Sequence, residues 1–332
     1  MHLVGRAAAA LAFLGRHGTR AVAISIFLSL AVPPLAAVFK PVVSEAIFLL
    51  LVLAFLRVDT RELRAHFAQP GLILLATAWI MMIVPAALGL VLVGLGVPHS
   101  APDLFAGLIL QASAPPIMAA PAFAALMGLD AALSLATLVL CMACTPLSAA
   151  AFAQIFVGSA LVLQPVALGL QLFLMLAGSA AAAATVRAIA GRSWIERQRE
   201  RIDGLNVILL FVFAAAVMGG VTLRLLSDPV FVLELVALSF ALALGLTGAT
   251  TLVLWSFGRG RAFALGLACG HRNLGLMLAA TGGAVPDLVW LYFGIAQFPI
   301  YLVPQLLKPV AKRLVDPSSS LRPRATRESG KV

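Results

Sequence analysis

The chain has 332 residues, of which 62% are hydrophobic and only 11% charged, where a soluble domain carries roughly 25% charged residues. A chain so apolar cannot hide its surface in a soluble fold. Its net charge of +10 does not mark a nucleic-acid partner, because the basic residues sit in short loops between apolar runs without interleaved aromatics.

The first apolar stretch, Leu3 to Leu14, is Ala-rich and short, and Arg16, His17 and Arg20 follow it in place of a clear cleavage site. It reads as an interfacial helix and not as a removed signal. Apolar runs of about 18 residues or more then recur, each long enough to cross a hydrocarbon core of roughly 30 Å as a helix. With Gly, Pro and charges as punctuation, the predicted spans cover 20–38, 41–56, 71–95, 102–127 and 131–155, then 165–190, 203–223, 229–256, 261–281 and 286–309. The expected fold is therefore an all-α integral membrane protein of about ten transmembrane helices, with the lipid bilayer as its solvent.

Basic residues check this count independently. Ten crossings place 20 of the 23 on one side, in clusters headed by Arg6, Arg57, Arg187, Arg259 and Lys308. Lys40 and Arg224 fall on the other side, and Arg272 falls inside a span. Both termini are thus expected in the cytoplasm, in a bacterial inner membrane, with a disordered tail over 316–332. Cys141, Cys144 and Cys269 lie within apolar runs and read as small packing residues.

Five spans followed by five more make any structural repeat inverted, with halves at 1–160 and 161–315. The fourth span of each half is interrupted: by Ala114-Pro115-Pro116 and Pro121 in one, by Gly270-His271-Arg272-Asn273 and Gly275 in the other. A short turn with an acid follows each, at Asp130 or Asp287. Proline lacks a backbone donor, so Pro115 and Pro116 should break the hydrogen-bond ladder at bilayer depth. Such a break persists only where protein or water satisfies the freed groups. Pro116 suits the first turn of a restarted half-helix and Asn273 suits an N-cap.

Arg272 sits about 14 to 16 Å of helix from the ends of its span, too deep to snorkel. It is expected either to face a cavity or partner or to cap backbone carbonyls at the break. His271 and Asn273 beside it, and Gln111 and Ser113 before the other break, complete the candidate substrate- or ion-binding set with Pro115 and Pro116. Glu45 and Glu234, near span ends, read as interfacial; Asn206, Gln171, Gln297 and Gln305 read first as packing residues, with interhelical hydrogen bonding as the other reading. No H-E-x-x-H, G-x-S-x-G or paired intramembrane aspartate appears, so no enzyme, metal site or cofactor is expected.

Three runs carry a family resemblance: GLILQASAPPIMAAPAFAALMGLDAALSLATLVLCMACTPL from Gly107 to Leu147, GLACGHRNLGLMLA from Gly266 to Ala279, and LLVLAFLRVDTRELRAHFAQP ending at Pro70. In order and spacing they resemble the bile acid:sodium symporter family. The resemblance implies a panel domain of helices 1, 2, 6 and 7, and a core domain in which broken helices 4 and 9 cross beside solute and sodium sites. The chain departs from the family at the sodium ligands. Where sodium-binding members offer Ser and Asn in helix 4, it has Pro115 to Pro121; where they offer an acid and a Gln in helix 9, it has Ala268 and Arg272. Loss of the carboxylate and gain of a guanidinium should repel a cation and not coordinate it. The expected function is a secondary transporter of a small organic anion, with Arg272 as a tethered cation and the coupling ion, sodium or proton, left open. A membrane sensor or enzyme that reuses the cavity without net transport is the alternative.

Overall fold

The computed structural model describes residues 2–17, 27–57, 70–158 and 164–315. These residues are helical almost throughout, with no β-strand among them. Among the described residues, seven helices are long and apolar enough to cross a membrane: α2 (Leu35–Arg57), α3 (Pro70–Gly94), α6 (Ala131–Val157), α7 (Pro165–Ala190), α8 (Arg199–Ser227), α9 (Pro229–Val253) and α12 (Asp287–Leu306). The chain is a multi-pass membrane protein. Its outward faces agree with that environment: Leu147, Val166 and Ile189 are all at least 80% exposed, as side chains facing lipid should be.

Two predicted spans are divided, each into a longer and a shorter helix: α4 (Pro102–Ser113) with α5 (Ala120–Leu126), and α10 (Arg259–Gly270) with α11 (Leu274–Ala280). The N-terminal helix α1 (His2–Arg16) packs on the start of α8, and a closing helix α13 (Lys308–Val315) packs on α10. In the first predicted span, 20–38, residues before Phe27 lie outside the described set, as do Arg20, Arg61, Arg64 and the tail 316–332. The rest of that span needs correction. Phe27–Ala31 is helical, Val32–Pro34 turns, and α2 starts at Leu35, because Pro33 and Pro34 cannot continue the helix before them. The predicted loop at Lys40 is a 3-10 turn, Lys40–Val42, inside the α2 run.

Contacts along α8 order the elements around it. Thr222 donates to the Leu30 carbonyl at 2.7 Å near one end of α8, and Asp203 pairs with Arg57 near the other. At that second end Arg16 pairs with Glu200 at 3.4 Å, and Arg187 donates to the Phe55 and Leu56 carbonyls that end α2. Arginines thus gather at one end of the bundle, while Lys40, stacked 4.4 Å over the Trp290 ring, marks the opposite end. The three cysteines are free thiols.

Candidate functional site

The first break follows from its prolines. Ala114 takes the extended conformation, φ −67° and ψ 148°, which is where a residue preceding proline is driven. Pro115 and Pro116 bring no N–H to the carbonyls of α4's last turn, so the ladder stops. The helix resumes at Ala120, with Pro121 in its first turn. Pro116 therefore does not open the restarted half-helix as its sequence context predicted; it lies in the extended stretch, and Pro121 takes the helical position.

The second break has a different cause. His271 is extended, φ −115° and ψ 97°, and Asn273 caps α11 by accepting from the Leu276 amide at 3.1 Å. The cap offsets an orphan donor at the helix start. Replacing Asn273 with Ala is expected to cost about 0.5–2 kcal/mol, read as a lower melting temperature. An unchanged melt would mean that this cap carries no load.

The two breaks satisfy each other. Pro116 faces Arg272 in an isolated antiparallel bridge. The Ile117 amide donates to the His271 carbonyl and the Asn273 amide to the Pro115 carbonyl, both at 2.8 Å. These bonds flank the Pro116–Arg272 pair, which makes it a pair that exchanges no bonds of its own. Proline is tolerated there because that register asks nothing of its nitrogen.

Arg272 is 1% exposed and heads the largest fully buried side chains. Its Nη1 donates to the Ala114 carbonyl at 2.9 Å, and its Nη2 to the Ile80 carbonyl at 3.2 Å and towards Cys269 Sγ at 3.5 Å. Both carbonyls are free for a stated reason. Ala114 ends α4 just before the proline pair. Ile80 lies in a π-helical turn, Trp79–Ile83, where the Val84 amide reaches back to Trp79 instead, and the next residue, Pro85, has no amide hydrogen to give. Among the described residues no Asp or Glu is buried, so carbonyl dipoles and a thiol surround the charge, and no anion does. Its Nε has no partner. Both alternatives for Arg272 hold together, since it caps carbonyls at the break and also lines a cavity.

That cavity measures about 410 Å³, within the roughly 300–1,000 Å³ of small-molecule sites. Its inner end is formed by the two breaks, from Ile117 to Ala119 and from Arg272 to Gly275. Its opposite wall is α2 and α8, which contribute mainly aliphatic side chains and Phe213. Arg57, Asn206 and Gln297 add polar groups. Of the predicted site residues, Arg272 and Asn273 line this space. Pro115 and Pro116 build the bridge behind it. Gln111, Ser113 and His271 are buried and are not lining residues; His271 Nδ1 instead donates to the Leu267 carbonyl at 2.7 Å. Glu45 and Glu234 are exposed and do not line this cavity.

Sequence reasoning missed two contributors. Pro85, in mid-span, was the signal for the Ile80 carbonyl. Arg57, at a helix end, carried no signal beyond its place in a basic cluster. Compared with known proteins, the chain matches no family model and no curated sequence.

Proposed function

We propose that this protein is a secondary transporter that carries a small organic anion across the membrane by alternating access. One observation carries the reading: Arg272, a buried arginine without a carboxylate partner, is among the residues that line a cavity of ligand size at the meeting point of two broken helices, its guanidinium held by the Ala114 and Ile80 carbonyls behind that wall. An uncompensated charge held at bilayer depth is costly and marks a solute or ion pathway. Broken helices that meet beside a cavity are a recurring transporter device. The resemblance to bile acid:sodium symporters agrees in kind, and with it we read ten crossings in two inverted repeats, a bacterial inner membrane and cytoplasmic termini.

Arg272 occupies the carbonyl-lined position that a free cation would otherwise need. In this reading it is a tethered cation, so solute binding does not require sodium.

Purified protein screened by thermal shift against organic acids is expected to be stabilised equally with sodium or potassium as the counter-ion. The best stabiliser should then show saturable counterflow in proteoliposomes. Stabilisation that appears only with sodium would remove the tethered cation, and binding without flux would leave a sensor.

A further inference from the structure

A second cleft lies between α2 and α7. It measures about 560 Å³, ligand-sized like the first, and the two share no lining residue. Ala279 of α11 is its buried floor, joined to α2 by the Ser44 hydroxyl, which donates to the Ala279 carbonyl at 3.4 Å. Its rim is open: Leu49 is 45% and Leu174 57% exposed, and Glu45 and Gln171 are exposed beside them. All four belong to helices long and apolar enough to cross the membrane, so lipid stands against this rim.

Polarity in the cleft is ordered along the helices. α2 and α7 run in the same direction, because Arg187 near the end of α7 reaches the carbonyls that end α2, while a Cβ on Gly178, midway along α7, would lie 3.4 Å from Phe48. Ser44 and Glu45 come one turn before Phe48 and Leu49 on α2, and Gln171 one turn before Leu174 and Met175 on α7. On both walls the polar groups therefore lie towards the Lys40 end of the bundle, with apolar side chains deeper. That is the order of a lipid, headgroup first and acyl chain after it.

Glu45 selects the headgroup. It lies within the α2 run, five residues past Lys40, roughly 8 Å along the helix. Among the described residues it makes no ion pair and no hydrogen bond, and Lys40, its nearest basic residue in sequence, stacks on Trp290 instead. An ionisable group inside a span calls for a partner, and the side left open to one is the lipid side. A primary ammonium matches it in charge and brings three donors for charge-assisted hydrogen bonds.

We propose that this cleft binds one phospholipid with a primary ammonium headgroup, a phosphatidylethanolamine, from the leaflet away from the arginine-rich end. Its ammonium sits on the Glu45 carboxylate, and an acyl chain lies along Phe48, Leu49, Leu174 and Met175.

The test titrates the full chain in detergent with phosphatidylethanolamine, phosphatidylcholine and phosphatidylglycerol of identical acyl chains, and counts bound lipid by native mass spectrometry. One phosphatidylethanolamine is expected to bind about tenfold more tightly than phosphatidylcholine, whose trimethylammonium has the same charge and no N–H. Phosphatidylglycerol, with no cation to meet the carboxylate, should be weakest. Glu45→Gln should lower phosphatidylethanolamine to the level of phosphatidylcholine, whereas Glu234→Gln, which removes an exposed carboxylate outside the cleft, should keep the preference. Leu174→Trp, which fills the acyl part, should weaken phosphatidylethanolamine severalfold, so a poorly folding Glu45 variant does not remove the test. Glycerophosphoethanolamine, the same headgroup without chains, should fail to displace the lipid. Equal binding of the three lipids by the wild type, a preference that survives Glu45→Gln, or displacement by glycerophosphoethanolamine would overturn the site. The proposal needs only a membrane-spanning bundle, so its failure leaves the anion-carrier reading where it stands.

Discussion

Arg272→Met is expected to abolish solute binding while changing the melting temperature little. Losing one member of a buried charged contact costs about 2–5 kcal/mol of binding, so affinity should fall by at least about 30-fold. Stability follows a different balance. The substitution strands the Ala114 and Ile80 carbonyls, at about 1–3 kcal/mol each, but it also removes a central charge that costs about 3 kcal/mol on insertion scales. The two effects are of similar size and opposite sign. Arg272→Lys should recover part of the binding, because an ammonium keeps the charge but cannot reproduce the planar fork that reaches both carbonyls. The decisive measurement is ligand-induced stabilisation beside the ligand-free melt. A variant that melts far below the wild type yet still binds would make Arg272 a structural cap and nothing more.

The second large effect is expected at a residue that touches no solute. Gly270 and Gly266 let α10 lie directly on α9, where an added Cβ on Gly270 would run into the Thr247 hydroxyl and the Ala243 carbonyl, and one on Gly266 into the Thr251 hydroxyl and the Thr247 carbonyl. Backbone oxygens cannot swing aside as a long side chain can. Glycines four apart are how membrane helices approach this closely. Gly270→Val should therefore cost about 1–3 kcal/mol through overpacking and move the end of α10, on which His271 and Arg272 are carried. Expected readouts are a lower melting temperature and lost solute binding together. Gly245→Val, at a position with nothing within 4 Å, is the matched control. Unchanged binding in Gly270→Val would mean that the crossing is positioned from the α4 side alone.

How far the sequence reached depended on whether a feature is written in side chains or in main chain. The proline pair at 115 and 116, the cap at Asn273 and the misplaced charge at 272 are side-chain facts, and each led to an interruption found in the structure. The apolar runs gave all seven long helices, with ends displaced by a few residues where prolines decided, as at Pro33 and Pro34. What escaped notice is mostly backbone. The groups that receive the guanidinium belong to Ile80 and Ala114, whose side chains have no part in the contact, so residue identity there holds no record of it. Arg57, on the cavity wall, was hidden differently: it and its partner Asp203 are 146 positions apart, and only the packing of α2 against α8 joins them.

The bridge between Pro116 and Arg272 sets how the molecule can move. Two amide hydrogen bonds rivet the interrupted helices together, so a slide or tilt of one past the other breaks both. They behave as one stiff cross. In the proposed carrier, opening and closing would then fall at the seam where this cross abuts α2 and α8, a greasy bearing surface that also carries the pocket.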